Sequence, residues 1–251
     1  MVTPAPSDSP HTYKHPPIVE AVVEIRFLHA VSHDRIEAAA HRIKASYEFL
    51  DPENTVDFVI DAEKQKASVA SQPSGFRLAS PNRDELVILR ENSFICAKLA
   101  PYGGWETLER RTRRDWDLWK KSVGPARISR VGLRYINRLD VPINEATTVG
   151  IEDYFTVFPR VPEGFFASTS NYAMQISVNV KDCPFGLTIN SGSVPSPLIG
   201  HVSFGLDLDL FCESDLPQRD DEMWALLSEM RKVKNLAFEN CITRKSRELL
   251  K

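Results

Sequence analysis

The sequence predicts an α+β protein of two similar halves, each a curved antiparallel sheet backed by long helices. Three observations carry this prediction. An alternating strand with charges on one face opens near residue 17, and a similar strand opens near residue 126. Shorter runs of period-two alternation follow each of them, and each half closes with a longer segment of helical periodicity. We therefore expect residues 17–124 to form the first half and residues 125–251 the second, either with separate sheets or with one continuous sheet.

The first elements follow from local composition. Residues 1–16 are rich in Pro and Ser and have no hydrophobic period, which predicts a flexible N-terminal arm. Residues 17–27 alternate between apolar and charged positions and predict a strand. A helix is then expected over 32–50, because Ser32 suits an N-cap and apolar residues recur at helical spacing. The pair Asp51-Pro52 is expected to end it.

An antiparallel meander and a helix complete the first half. Turn formers such as Gln72-Pro73-Ser74-Gly75 separate the short alternating runs, as expected of hairpin-connected strands. The runs lie at 55–61, 65–71, 75–80, 85–91 and 93–99. A tryptophan-rich helix is predicted over 104–123, where Gly124-Pro125 stops it.

The second half repeats this order approximately. A strand is predicted over 126–139, and an irregular connector follows over 141–169. Clean period-two patterns then predict three more strands. They lie at 171–180, 185–189 and 198–210. A long terminal helix over about 219–249 is expected to lie across the sheet.

The predicted order of elements resembles the TATA-box-binding-protein-like (TBP-like) and helix-grip folds. This resemblance implies a duplicated arrangement in which each curved sheet holds its helices on one face. It concerns topology alone, and a shared topology does not determine a function.

Composition limits the class of protein. The 251 residues are 42% hydrophobic and 26% charged, which is typical of a globular protein. Apolar runs are far shorter than the roughly 20 residues of a membrane helix, and the N-terminus lacks the apolar run of a signal peptide. We therefore expect a cytoplasmic protein without a membrane partner. The net charge of −3 provides no overall attraction to nucleic acid.

Signatures of catalysis and of metal binding are missing from the sequence patterns. The four cysteines lie about thirty or more residues apart, unlike the close pairs of zinc sites, so reduced thiols are expected. There is no glycine-rich phosphate loop, no nucleophile elbow and no pair of metal ligands at helical spacing. We predict no catalytic residue, no metal and no cofactor, and a non-enzyme is favoured.

Three arginines on one strand face form the best candidate binding site. Arg130, Arg134 and Arg138 present planar donors that suit phosphate, carboxylate or an acidic partner. The alternative is structural, since opposite charges on neighbouring strands stabilise sheets. In that case the arginines form salt bridges with nearby acidic residues, the candidates being Glu20, Glu24, Asp207 and Asp209.

A polar strand face extends this candidate site. Polar residues alternate with apolar ones along the later strands, which predicts a polar floor able to bind a ligand by several hydrogen bonds. The residues are Gln175, Ser177, Asn179, His201, Ser203, Asp207 and Asp209. The alternative is simply the solvated side of an antiparallel sheet.

Two further segments are candidates for contacts with a partner. Phe155, Phe158, Phe165 and Phe166 lie on the long connector, where aromatics can anchor a protein partner or cover the edge of their own core. A basic cluster of Arg110, Arg111, Arg113 and Arg114 suits phosphate backbones. Its alternative is an exposed helix face that is self-paired through Asp115 and Asp117.

Parts of the sequence also look like a known family. The opening PPIVEAVVEIRF at 16–27, the block RVGLRYINR at 130–138 and the tail AFENCIT at 237–243 resemble a sporadically distributed bacterial family of conserved hypothetical proteins of unknown function. The similarity covers most of the chain from Pro16 onward. It implies a bacterial cytoplasmic protein of accessory loci, such as defence or toxin–antitoxin loci. The family brings no established activity, so no catalytic residue is transferred.

These observations together predict a non-catalytic binding or regulatory protein, antitoxin-like or defence-related, whose partner is a protein, for example the product of a neighbouring gene. Two alternatives stay open. One is nucleic-acid binding through the arginine stripe and the Arg110–Arg114 cluster. The other is a sensor or enzyme for an anionic small molecule held over the three stripe arginines.

Overall fold

The computed structural model describes residues 13–61, 66–143, 149–162, 164 and 171–251, with the backbone alone for residues 56–61 and 66–71. Contacts within the chain divide it into two compact units. The first unit is Val22–Val131. The second unit comprises Gly132–Lys251 together with the described residues of Met1–Ala21.

Nine strands form the sheet of this α+β protein. They are β1 (Ile18–Phe27), β2 (Phe49–Asp61), β3 (Lys66–Ala79), β4 (Glu85–Arg90), β5 (Ser93–Leu99), β6 (Ile128–Pro142), β7 (Ala173–Asn179), β8 (Gly186–Val194) and β9 (His201–Cys212). Neighbouring strands are hydrogen-bonded in the order β2-β3-β4-β5-β1-β6-β9-β8-β7. The pairs β2–β3, β3–β4, β4–β5, β7–β8 and β8–β9 are antiparallel, as the alternation predicted.

The core of the first unit is built around aromatic side chains. Helices α1 (His33–Ile43) and α2 (Trp105–Val123) each bury one apolar face. On α2, Trp119 stacks on Phe27 of β1, with 4.6 Å between the ring centroids. Trp116 meets Phe94 of β5 edge to face at 5.3 Å. These large rings bury much of the apolar area that stabilises this unit.

Two predictions for the first half are wrong at prolines. The helix expected over 32–50 ends at Ile43, a short 3-10 turn follows, and β2 begins at Phe49 and runs through Pro52. The expected turn at 72–75 lies inside β3, which is one strand. A shift of register between Glu53 and Asn54 lies opposite this segment. Both prolines therefore flank a bulge, where a missing N–H donor is tolerated.

The second unit combines the strands β6, β9, β8 and β7 with two helices. Helix α3 (Asp220–Cys241) packs on β9, and both contribute buried residues at their apolar positions. The predicted helix over 219–249 is in fact interrupted. Ile242 leaves the helix to form a β-bridge with Phe155, and Thr243 caps a new helix, α4 (Arg244–Leu249). The side chain of Thr243 accepts a hydrogen bond from the N–H of Ser246.

The end of the predicted arm contacts the C-terminal helices. The hydroxyl of Tyr13 donates to Glu239 of α3 at 2.6 Å, and its ring meets Phe238 edge to face at 6.2 Å. The backbone N–H of His15 donates to the carbonyl of Leu250 at 3.3 Å. Residues 1–12 of the predicted arm lie outside the described residues.

Candidate functional site

The three stripe arginines lie on one face of β6, and each meets a carboxylate. Arg130 is buried in the first unit, where it forms an ion pair with Glu24 of β1. Glu24 also pairs with Arg26 at 3.0 Å. Burial of a guanidinium needs such compensation, because an unpaired buried charge is strongly unfavourable. Arg130 therefore forms a structural salt bridge with Glu24, one of the partners that the structural alternative named.

Arg134 forms the most complete pair of the stripe. Its Nε and Nη2 atoms donate to the two carboxylate oxygens of Asp207 on β9, at 2.8 and 2.6 Å. This bidentate geometry is the strongest that arginine makes with a carboxylate. The hydrogen bond to Asp207 raises the pKa of the Arg134 guanidinium. Asp207 also accepts a hydrogen bond from the amide of Asn190 on β8, at 3.0 Å.

Arg138 also has a partner, on its own strand. Its Nε atom lies 3.0 Å from a carboxylate oxygen of Asp140. The hydroxyl of Ser203 on β9 donates to the same carboxylate at 2.5 Å. Each arginine of the stripe is thus paired with a carboxylate, which offsets part of its positive charge.

An open groove lies on the polar face of β7, β8 and β9, beside the Arg134–Asp207 pair. Its volume is about 550 Å³. Cross-strand pairing places Ala173, Gly192 and Gly205 in one row, so the floor of the groove is backbone with almost no side chain. Strand glycines often mark such a close approach of a ligand or another chain. A Cβ atom on Gly205 would lie 3.2 Å from Val194, which shows how narrow the groove is there.

Polar side chains form one wall of the groove. The register places Gln175 opposite Asn190, and Asn190 opposite Asp207, so the three polar residues form a row across three strands. Gln175 is exposed, whereas Asn190 and Asp207 are half-buried. This row runs parallel to the row of small residues. The wall can both donate and accept hydrogen bonds.

The structure brings only some of the predicted polar residues together. Gln175 and Asp207 line the groove. Asp209 lies opposite Thr188, and Asn179 opposite Gly186, both further along the strands. His201 lies six positions from Asp207 on the same strand, a distance of about 20 Å, and its Nδ1 atom is 3.0 Å from the carbonyl of Ile199. His201 is therefore separate from the groove.

The predicted aromatic anchor is partly wrong. Phe155 is 2% exposed and meets Phe204 edge to face at 6.2 Å, so it belongs to the core of the second unit and cannot hold a partner. Phe158 is half-buried, with the guanidinium of Arg160 at 5.5 Å over its ring. Phe165 and Phe166 lie outside the described residues.

The basic cluster on α2 is also less exposed than predicted. Arg111 is buried and donates to the carbonyl of Ala97 at 2.5 Å, because this side of α2 packs against β5. Arg113 pairs with Glu109 at 2.5 Å, one turn earlier. Arg114 pairs with the buried Asp115 at 2.8 Å. Arg110 is exposed. The cluster is thus divided between the interior and the surface of its unit.

Sequence reasoning missed several residues of the site. Asn190 follows the apolar Ile189 on β8, Gly192 lies between two serines of the same strand, and Gly205 lies within β9. Glycine within a strand was the available signal.

Lys234 was also missed, because it lies between apolar positions of α3. It is buried, with its ammonium nitrogen 3.6 Å from the centre of the Tyr135 ring, and burial lowers the pKa of Lys234 to about 7.

The chemistry available at other places is limited in the part of the chain that is described. No group of three or more His, Cys, Asp or Glu side chains there is arranged to hold a metal ion. All four cysteines are free thiols, and burial raises the pKa of Cys96 to about 12 and that of Cys241 to about 11. None of the helices in the described ranges has the length and hydropathy to span a bilayer.

No protein-family model and no curated protein matches this chain. The geometry of the groove is therefore the feature of the chain that bears on its function. That geometry consists of a floor of small residues, a polar wall that ends at the Asp207–Arg134 pair, and apolar residues such as Ile136 and Val194 in the lining.

Proposed function

We propose that the chain is a non-catalytic binding protein that holds a segment of a protein partner in the groove of the second unit. The observation that carries this proposal is the groove itself, about 550 Å³ in volume, with a floor of small residues and a wall of two amides and the carboxylate of Asp207. Binding sites of proteins are concave surfaces of about this size with a few well-placed polar groups.

The polar wall suits a polypeptide better than an anion. Gln175 carries an exposed amide, and the amide oxygen of Asn190 can accept while its nitrogen donates to Asp207. Such mixed donors and acceptors match the N–H and C=O groups of an extended backbone. A small-residue floor allows that backbone to approach the sheet closely.

An anionic small molecule is the second candidate, because Arg134 pairs with Asp207, which lines the groove, and its side chain is 46% exposed. Its bidentate pair with Asp207 argues against this function. Thermal stabilisation by phosphate or nucleotides would favour it. Nucleic acid receives less support, since the arginines of the stripe are paired with carboxylates.

The wider context of the function is also a proposal. The three motifs at 16–27, 130–138 and 237–243 suggest membership of the bacterial family named above, and hence an antitoxin-like or defence role with a partner from a neighbouring gene. We further infer an internal duplication with helices on the sheet. It is supported by the packing of α2 on β5 in the first unit and of α3 on β9 in the second.

The test is capture of the partner by a tagged protein, with a variant that fills the groove. In Gly205→Leu, the new side chain occupies the floor beside Val194. Thr188→Leu is the matched control, because Thr188 lies on the same strand face but does not line the groove. We expect the wild type and Thr188→Leu to retain one stoichiometric protein, identified by mass spectrometry, and Gly205→Leu to lose it.

Two results would contradict the proposal. One is retention of the same partner by a folded Gly205→Leu variant, which would place binding elsewhere. The other is co-purified nucleic acid, detected by the ratio of absorbance at 260 and 280 nm, that is released by salt. Circular dichroism of each variant checks that the fold is intact.

A further inference from the structure

The outer edge of β7 presents backbone groups, and no strand in the described ranges pairs with it. At the ends of β7, the N–H of Val180 donates to the carbonyl of Phe185, and the carbonyl of Tyr172 accepts from Ser193. Along an antiparallel strand, the backbone N–H and C=O groups of successive residues point alternately to the two sides of the strand. The backbone groups of the even-numbered residues therefore bond to β8. The odd-numbered residues direct their N–H and C=O groups outward. They are Ala173, Gln175, Ser177 and Asn179.

This edge lacks the features that usually prevent strand pairing. Edge strands are normally protected by charges, prolines or bulges. The β7 sequence AMQISVN contains no charge and no proline, and its register with β8 is regular. Ile176 and Val178 are 40% and 42% exposed, although they share a face with the buried Ile189 and Leu187. A further strand would gain both hydrogen bonds and apolar contacts here.

The pattern of β7 is self-complementary about Ile176. If an antiparallel copy is centred there, Ile176 faces itself and Met174 faces Val178 of the copy. Gln175 then faces Ser177, and both are outward-directed residues. The hydrogen-bonded pairs of the dimer are therefore formed by residues whose backbone groups point outward. Ile176 and its copy form a non-hydrogen-bonded pair, where side chains lie closest. With no charge on the strand, this pairing involves no repulsion between its own residues.

We propose that the occupant of this edge is a second copy of the chain, joined through β7 in a symmetric antiparallel dimer. A two-fold axis at Ile176 makes the interface isologous, as in most homodimers. The interface is small, so the dimer dissociates on dilution. This inference does not rest on the proposed groove, because it uses the backbone edge and the apolar face of β7.

Cysteine cross-linking tests the register. In a Cys183→Ser background, Ile176→Cys places two thiols at one non-hydrogen-bonded pair, with Cα atoms about 4.5 Å apart, which suits a disulfide. Val178→Cys is the matched control, because it is equally exposed on the same face. Its thiols would lie about 13 Å apart along the strand. We expect the Ile176→Cys dimer to form about tenfold faster or more than the Val178→Cys dimer.

Sedimentation of the unmodified chain completes the test. We expect a dimer that dissociates on dilution, and a Gly205→Leu variant that still dimerises, which separates this inference from the groove. A wild-type chain that stays monomeric at its highest soluble concentration would overturn the proposal. Equal cross-linking of the two cysteine variants would overturn the register, and with it the proposed symmetric pairing.

Discussion

At the scale of single residues, burial of Lys234 disfavours the charged form of its side chain. Its ammonium lies over the ring of Tyr135, an arrangement that favours the charged form. Removal from water opposes this more strongly, and the charge of Arg231 adds to it, so the pKa of Lys234 falls from 10.5 to about 7. The residue therefore loses its proton in the folded chain at a pH where the unfolded chain keeps it.

This difference predicts how stability depends on pH. Between about pH 7 and 10, the unfolded chain binds a proton that the folded chain does not, so the free energy of unfolding rises with pH, by up to about 1.4 kcal/mol per unit. Below about pH 7 both states are protonated, and this contribution to the slope disappears. Lys234→Met should therefore raise stability near pH 7 and flatten the dependence. Urea unfolding across this range measures it.

The matched control is Lys232→Met on the same helix, since Lys232 is exposed and pairs with Glu229. We expect this variant to keep the slope of the wild type, because it removes an exposed side chain and leaves the buried Lys234 in place. A slope that is unchanged in Lys234→Met would show that another group causes the dependence.

At the scale of elements, alternation and helical spacing were sufficient to locate four elements that bury one face. β1, β4, β5 and α2 lie within a residue or so of their predicted bounds. Prediction failed where tertiary contacts override a local signal. Pro52 and Pro73 indicate turns in isolation, yet the bulge between β2 and β3 accommodates both. The interruption of the terminal helix depends on the bridge from Ile242 to Phe155, which the sequence near it does not reveal.

Gly75 provides an element-scale prediction about β3. A Cβ atom there would lie 2.0 Å from the carbonyl oxygen of Leu89 on β4, and the clash is with backbone that cannot move aside. Gly75→Ala should separate β3 from β4 locally and cost about 3 kcal/mol or more in unfolding free energy. Gly103→Ala is the control, because its new Cβ would contact nothing within 4 Å. A urea midpoint for Gly75→Ala equal to that of the control would show that the predicted clash with Leu89 does not destabilise the fold.

At the scale of the whole molecule, the candidate site was only partly predictable. The sequence identified the arginines and named Glu24 and Asp207 among their partners, but it left the binding and structural alternatives open. Choosing between them needs the register between strands that are far apart in the chain, as with Arg134 and Asp207. The same is true of the groove floor, because only the pairing of β8 with β9 places Gly192 opposite Gly205.

Charge compensation leads to a prediction for the whole chain. With 31 basic and 34 acidic residues, and with each stripe arginine paired to a carboxylate, the wild type should not bind duplex DNA at moderate salt. Asp207→Ala should release Arg134 and produce weak binding that falls as salt rises. Adding Arg134→Ala should abolish that binding. Fluorescence anisotropy with a labelled duplex at two salt concentrations measures all three proteins. Strong, salt-dependent binding by the wild type that Arg134→Ala removes would instead make the stripe a nucleic-acid site.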